Sequence, residues 1–134
     1  MNDSDPCPCG SGSTYAQCCA PLHRGVATAG TAERLMRSRY SAFAVGDAAY
    51  LRATWHPSTR PRDLELDPEV EWRRLVIVDT AAGGEADDSG EVEFRAFWRT
   101  LPAPGRARDG GVLHERSRFI RERGRWYYVD GDIA

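Results

Sequence analysis

All four cysteines of this chain lie between residues 7 and 19, in the order Cys7-Pro8-Cys9, then residues 10–17, then Cys18-Cys19. That crowding limits what the N-terminal segment can become more than any other feature. Near neighbours in sequence cannot reach the Cα separation and orientation of an unstrained disulfide. Four thiolates do suit one tetrahedral ion, zinc above all, at metal–sulfur distances of about 2.3 Å. Sulfur in all four positions leaves none for water or substrate, so the spacing predicts one structural Zn2+ held by Cys7, Cys9, Cys18 and Cys19. Gly10 and Gly12 allow a sharp bend after the first pair, and Ser13 or Thr14 is placed to cap a helical turn that delivers the second. Disulfides, free thiols and an iron–sulfur cluster are the alternatives, and a reducing compartment disfavours the first. His23, beyond Cys19, is either a surface histidine or a substitute for one thiolate.

The remaining chain is long enough for one core. A chain of 134 residues buries roughly two thirds of its unfolded surface, which fits one domain and a small appendage. A hydrophobic fraction of 41% and a charged fraction of 28% are those of a soluble globular protein. The net charge of −2 exerts no general pull towards nucleic acid or an anionic membrane. All 18 basic residues are arginine, which excludes Schiff-base chemistry, pyridoxal phosphate attachment and a P-loop lysine. Residues 1–30 hold no apolar run like that of a signal peptide, and no window approaches about 20 apolar residues. No membrane span and a cytoplasmic location are therefore expected.

From residue 20 to residue 30 the chain reads as a linker, with Pro21, Gly25 and Gly30. Thr31 is an N-cap, after which Leu35, Met36, Arg39, Tyr40, Phe43 and Ala44 recur at helical spacing until Gly46 stops the helix. Asp47 caps a second helix from Ala48 to about Thr54, ended by His56-Pro57. Residues 58–69 read as a loop with at most one helical turn. The period then becomes alternating, predicting strands over 72–80, 91–101, 112–121 and 125–132, with Glu122-Arg123-Gly124 as a hairpin turn. Two helices followed by an antiparallel meander imply an α+β domain with one sheet face covered by helices.

The string Cys7-Pro8-Cys9-Gly10-Ser11-Gly12, with Tyr15 and Cys18-Cys19, resembles the SEC-C zinc motif of the bacterial SecA translocation ATPase tail. Those tails carry lysines around the tyrosine, where this chain has Ser13, Thr14 and Ala16. Four further segments, 35–43, 54–57, 115–119 and 126–131, resemble in order the bacterial YchJ-like family. That resemblance implies a nuclear transport factor 2-like (NTF2-like, cystatin-like) cone of helices against a strongly bent antiparallel sheet, with an N-terminal zinc knuckle. The expected division is a knuckle over residues 1–24 and an α+β domain over residues 25–134. Some relatives carry a second SEC-C motif at the C-terminus; this sequence, ending at Ala134, has none, and no function needing two knuckles is expected.

Folds of this type host both enzymes and binding modules, so the fold decides nothing about activity. By the SEC-C resemblance, the first expectation is a protein-interaction or adaptor module in which Pro8, Ser11, Tyr15 and their neighbours dock an unidentified protein partner. The alternative is a small-molecule-binding protein or acid/base enzyme using the cone. On the third strand Leu113, Glu115, Ser117 and Phe119 share a face, so Glu115 would point into an apolar cavity, where an unpaired carboxylate has a raised pKa. Trp126, Tyr128 and Asp130 share a face of the fourth strand, and the candidate pocket set is Tyr40, Trp55, His56, Glu115 and Asp130. Each has a plain counterpart: Glu115 paired to an arginine such as Arg39, Asp130 bracing the turn at Gly131, His56 ending a helix, Tyr40 and Trp55 in the core. Nucleic-acid binding through the arginines of residues 106–125 is disfavoured, because alternation splits them between both sheet faces. Phe97 on the outer face hints at a homodimer.

Overall fold

A computed structural model describes residues 2–134. After the metal-site segment and its 3-10 turn at Tyr15–Gln17 come α1 (Ala20–His23), α2 (Ala32–Val45) and α3 (Ala48–Ala53). Four strands follow: β1 (Val70–Ala82), β2 (Ser89–Thr100), β3 (Gly110–Glu122) and β4 (Arg125–Ile133). They form one antiparallel sheet in the order β1-β2-β3-β4, the meander that the alternating pattern predicts. Residues 58–69 contain turns and no helix, and α1 occupies the start of the segment read as a linker.

The helix boundaries follow from local chemistry. The Thr31 side chain accepts a hydrogen bond from the Arg34 N–H at 3.1 Å, satisfying one of the free donors of the first turn. Gly46 ends α2 in the left-handed region at φ 78°, where a Cβ would be strained. Asp47 then accepts from the Tyr50 N–H at 3.0 Å and starts α3 at once. The chain leaving α3 runs beside β4: His56 N–H donates to the Tyr128 carbonyl at 2.8 Å and Tyr128 N–H to the Thr54 carbonyl at 2.9 Å, a short parallel bridge that protects the sheet edge.

The core lies between α2 and the concave sheet face. Leu35, Met36 and Tyr40 from α2 pack over Val92, Phe94, Ala96, Phe119 and Trp126. The convex face carries a mesh of ion pairs: Arg116 with Asp79, Glu91 and Glu93, His114 with Glu93, and Arg118 with Asp130 and Asp132. Phe97, the residue that hinted at a dimer, lies half-buried there under the Arg74 guanidinium, 4.6 Å from its ring centroid.

Candidate metal centre and cone cavity

The Cys7, Cys9, Cys18 and Cys19 sulfurs all lie within 4.8 Å of one another and are buried. Tetrahedral coordination at about 2.3 Å puts neighbouring sulfurs roughly 3.8 Å apart; Cys9 Sγ lies 3.6 Å from Cys18 Sγ, and Cys18 Sγ 3.9 Å from Cys19 Sγ. The donor set therefore suits a four-coordinate metal. The thiols also compete for charge: hydrogen bonding from Cys19 and then Cys9 holds Cys7 far below the ordinary thiol range, and the same bond drives Cys19 far above it. A divalent cation relieves that competition by taking four thiolates at once. Ser11 Oγ at 3.1 Å from Cys18 Sγ, Ser41 Oγ at 3.5 Å from Cys7 Sγ and Arg34 Nη1 at 3.5 Å from Cys19 Sγ surround the sulfurs with donors.

The knuckle is bolted to α2. Arg34 Nη2 donates to the Cys18 carbonyl, and Arg37 Nη1 to the Cys9 carbonyl at 2.9 Å. His23 donates from Nε2 to the Ser38 carbonyl at 2.8 Å, which leaves Nδ1 to accept from the Tyr15 hydroxyl at 2.6 Å. Both ring nitrogens are occupied, so His23 fastens the knuckle to α2 instead of replacing a thiolate. Tyr15 is buried in the same contact, and burial pushes its phenol above the ordinary range. The knuckle face left to solvent is residues 10–13 with Ala16 and Gln17, small and polar.

A cavity of about 210 Å3 lies between α2, the end of α3 and the sheet. Its apolar walls are Met36, Phe43, Trp55, Phe94 and Leu113; its polar groups are Arg39, Glu115, Ser117 and Tyr128. Arg39 is 3% exposed, with its guanidinium 5.1 Å from the Trp55 ring centroid and 4.7 Å from that of Tyr128. Among the described residues only Nη1 finds hydrogen-bond partners, the Leu51 carbonyl at 2.8 Å and Thr54 Oγ1 at 2.7 Å. Burial pushes this guanidinium down to about 10, so it stays charged at neutral pH. Glu115 acts on it through space, yet among the described residues no carboxylate lies within 4 Å of Arg39. Glu115 Oε2 instead accepts from Ser117 Oγ at 2.5 Å and from the Tyr128 hydroxyl at 3.3 Å. Burial, then the nearby Glu115 charge, pushes the Tyr128 phenol well above the ordinary range. The Trp55 indole N–H is buried without a hydrogen-bond partner among the described residues. A larger hollow of about 320 Å3 runs beside α3 and β4 past Leu22, Tyr50 and Trp126, but two of its polar groups, Asp47 and His23, are already engaged in capping and knuckle docking.

Two family descriptions match this architecture. Residues 31–131 match that of the middle, NTF2-like domain of YchJ, and residues 4–21 match the SEC-C motif. The chain belongs to the YchJ-like family. A UPF0225 protein of Streptomyces coelicolor is 53% identical over 96% of this chain and 95% of its own, and one of Corynebacterium efficiens is 49% identical over 96% and 93%. Among solved structures, a SEC-C motif containing protein from Rhodopseudomonas palustris aligns with a TM-score of 0.79 and 36% identity, covering 100% of this chain and 99% of the other. One from Psychrobacter arcticus aligns at 0.75 and 27% identity, covering 100% and 86%.

In this YchJ-like chain the residues singled out from sequence separate. Trp55 and Glu115 line the cone. Tyr40 is buried outside it, edge-on to Trp72 at 6.2 Å between centroids. His56 sits near the β3–β4 turn, donating from Nε2 to Glu122 at 2.7 Å while Nδ1 accepts from Ser58, whose Oγ lies 2.6 Å away. Asp130 lies on the convex face, 2.6 Å from Arg118. The expected alternation fails there because Arg118 pairs with Asp130 while Phe119 pairs with Tyr128, leaving Val129 as the extra residue of a bulge that reverses the faces beyond it. The residue missed as a site group is Arg39. An arginine in the i, i+3, i+4, i+7 stripe Met36, Arg39, Tyr40, Phe43 was the signal, since a charge at a core position needs a reason to be there.

Proposed function

We propose that the protein binds a small molecule in the cone between α2 and the sheet, and that Zn2+ on Cys7, Cys9, Cys18 and Cys19 is a structural clamp that fixes α2. The observation that carries this reading is the Arg39 guanidinium, buried in the cone with no carboxylate within 4 Å of it among the described residues. A buried charge that no opposite charge touches costs several kcal/mol, and a ligand that contacts it offsets that cost. Zinc is the ion that four buried thiolates favour, and reduced cysteines suit the cytoplasm. Binding is preferred to acid/base catalysis because Glu115 is already engaged by Ser117 and Tyr128.

The adaptor reading stands second. Its support is the contiguous exposed strip at residues 10–13, next to exposed Ala16 and Gln17, which a protein partner could cover. Against it, the aromatic of the motif, Tyr15, is buried, and the strip offers none of the Trp, Tyr or Arg anchors that dominate interface energetics. Native and denaturing mass spectra of the purified protein test both readings. A native mass higher by one zinc and one small organic molecule supports the cone. One zinc, no ligand and partner capture that is lost on replacing residues 10–13 would favour the adaptor.

A further inference from the structure

We infer that the cone takes a small carboxylate that also carries a hydrogen-bond donor, a hydroxy or amino acid of a few carbons, with its carboxylate on Arg39 and its donor on Glu115. The inference rests on the cone reading and adds the ligand class to it.

The chemistry of the walls sets that class. Arg39 presents Nε and Nη2 without hydrogen-bond partners among the described residues, while Nη1 is anchored on Leu51 and Thr54. Stacking against Trp55 and Tyr128 stabilises the cation without neutralising it. A planar carboxylate matches two guanidinium N–H groups better than any neutral acceptor does. The buried Trp55 indole N–H is a second, independent call for an acceptor, on a residue of the same wall. A simple anion is the wrong complement, however, because the Glu115 carboxylate lines the same space and would repel it. Among the described residues only Oε2 of Glu115 is hydrogen-bonded, so Oε1 is free to accept from a ligand donor. Guanidinium and carboxylate thus cancel in charge, and the cavity asks for a molecule with one acceptor end and one donor end. Size narrows it further: about 210 Å3 is roughly seven times the volume a water occupies in the liquid, below the range of drug-sized pockets.

The test is a titration followed through the Trp55 indole N–H resonance, assigned by Trp55→Phe among the four tryptophans of the zinc-loaded chain. The probes are glycolate, acetate, acetamide and ethylene glycol. Glycolate is expected to shift the resonance saturably, acetate to bind about tenfold more weakly for want of a donor to Glu115, and the two neutral probes to give no saturable shift. Arg39→Gln should abolish the response. Because that variant could fail to fold, Glu115→Gln is the second: it should strengthen acetate and erase the advantage of glycolate. Acetamide or ethylene glycol binding as well as glycolate would overturn the ligand class and leave the cone reading standing, as would an unchanged glycolate-to-acetate ratio in Glu115→Gln. No response to any probe, together with a native mass free of organic ligand, would overturn both.

Discussion

Replacing Gly131 with alanine isolates the Glu115 contacts. A Cβ built at Gly131 would lie 2.6 Å from Glu115 Cδ and 2.9 Å from its Cγ, closer than packed carbons approach. Glu115 must then swing away and give up its bonds to Ser117 and Tyr128. A hydrogen bond to a charged group contributes about 1.5–3 kcal/mol, and the 3.3 Å bond from Tyr128 counts for the lower end or less. Gly131 is not among the positive-φ glycines, so alanine suits its backbone and returns about 0.4–1 kcal/mol through the unfolded chain. The expected net cost is about 2 kcal/mol. In a Glu115→Ala background the obstruction is gone, and the same replacement should be neutral or stabilising by up to about 1 kcal/mol, a coupling of roughly 2–3 kcal/mol. The assay is urea unfolding followed by tryptophan fluorescence for the four chains at fixed zinc, comparing midpoints at constant slope. Equal costs in the two backgrounds, within about 0.5 kcal/mol, would refute the claim that Gly131 exists to seat Glu115.

Chelation of the metal should lower Tm by about 15 °C or more, since the bonds from Arg34 and Arg37 of α2 to the knuckle, and from His23 of the knuckle to α2, go with it; an unchanged Tm with the metal gone would make the knuckle an independent appendage. In alkali, Tyr40 carries a further test. Burial pushes it up from 10.0 to about 12, so its stabilisation is complete below pH 10 and lost as pH rises to 12, about 2–3 kcal/mol, seen as tyrosinate absorbance rising together with unfolding. Tyrosinate forming at pH 10 with the fold intact would contradict that burial. In acid, the carboxyls of Glu71, Glu93 and Asp132 are held below their ordinary range by hydrogen bonds from Arg73, His114 and Arg118. Their stabilisation is present above the ordinary carboxyl range and lost as pH falls below it; because Asp132 is exposed and Glu71 and Glu93 are partly so, molar salt should flatten this acid limb, and a salt-independent limb would place its cause elsewhere.

Most of the architecture was legible because it rests on local signals. Thr31, Gly46 and Asp47 mark helix ends whatever surrounds them, and period-two alternation located four strands to within a few residues. The cysteine cluster was legible for the same reason, its spacing alone bringing four sulfurs together. What escaped depends on contacts distant in sequence. The bulge at Val129 is a property of the β3–β4 pairing, and it carried Asp130 from the cone face to the convex face. The engagement of His23 requires Ser38 on α2, and the exposure expected of Tyr15 ignored the same contact. Arg39 was read as a residue of a helical stripe and as a partner for Glu115, but no ion pair joins the two, because a sequence shows that a charge falls at a buried position but not whether a counter-charge touches it.

The metal centre and the cone share α2, and its two faces explain why they occur in one chain. At 3.6 residues per turn, Arg34, Arg37, Ser38 and Ser41 form one stripe, and each of them touches the knuckle or the groups that hold it. Met36, Arg39, Tyr40 and Phe43 form a second stripe roughly half a turn away; Met36, Arg39 and Phe43 line the cone and Tyr40 packs on Trp72. A helix of 14 residues is marginal alone in water, so packing must hold it, and the sheet can hold only one side. The knuckle supplies the other side, where four clustered sulfurs could hold a metal in place of a core too small to form there. Docking also fixes the rotation of α2 about its axis. A slip of one residue turns the helix by about 100°, which would take Arg39 away from Trp55, Tyr128 and the Leu51 carbonyl and break the Arg37 bond to the Cys9 carbonyl at the same time. The four cysteines therefore act on the cavity without touching it: by locking the helix from outside, they keep the buried Arg39 guanidinium in place against Trp55 and Tyr128.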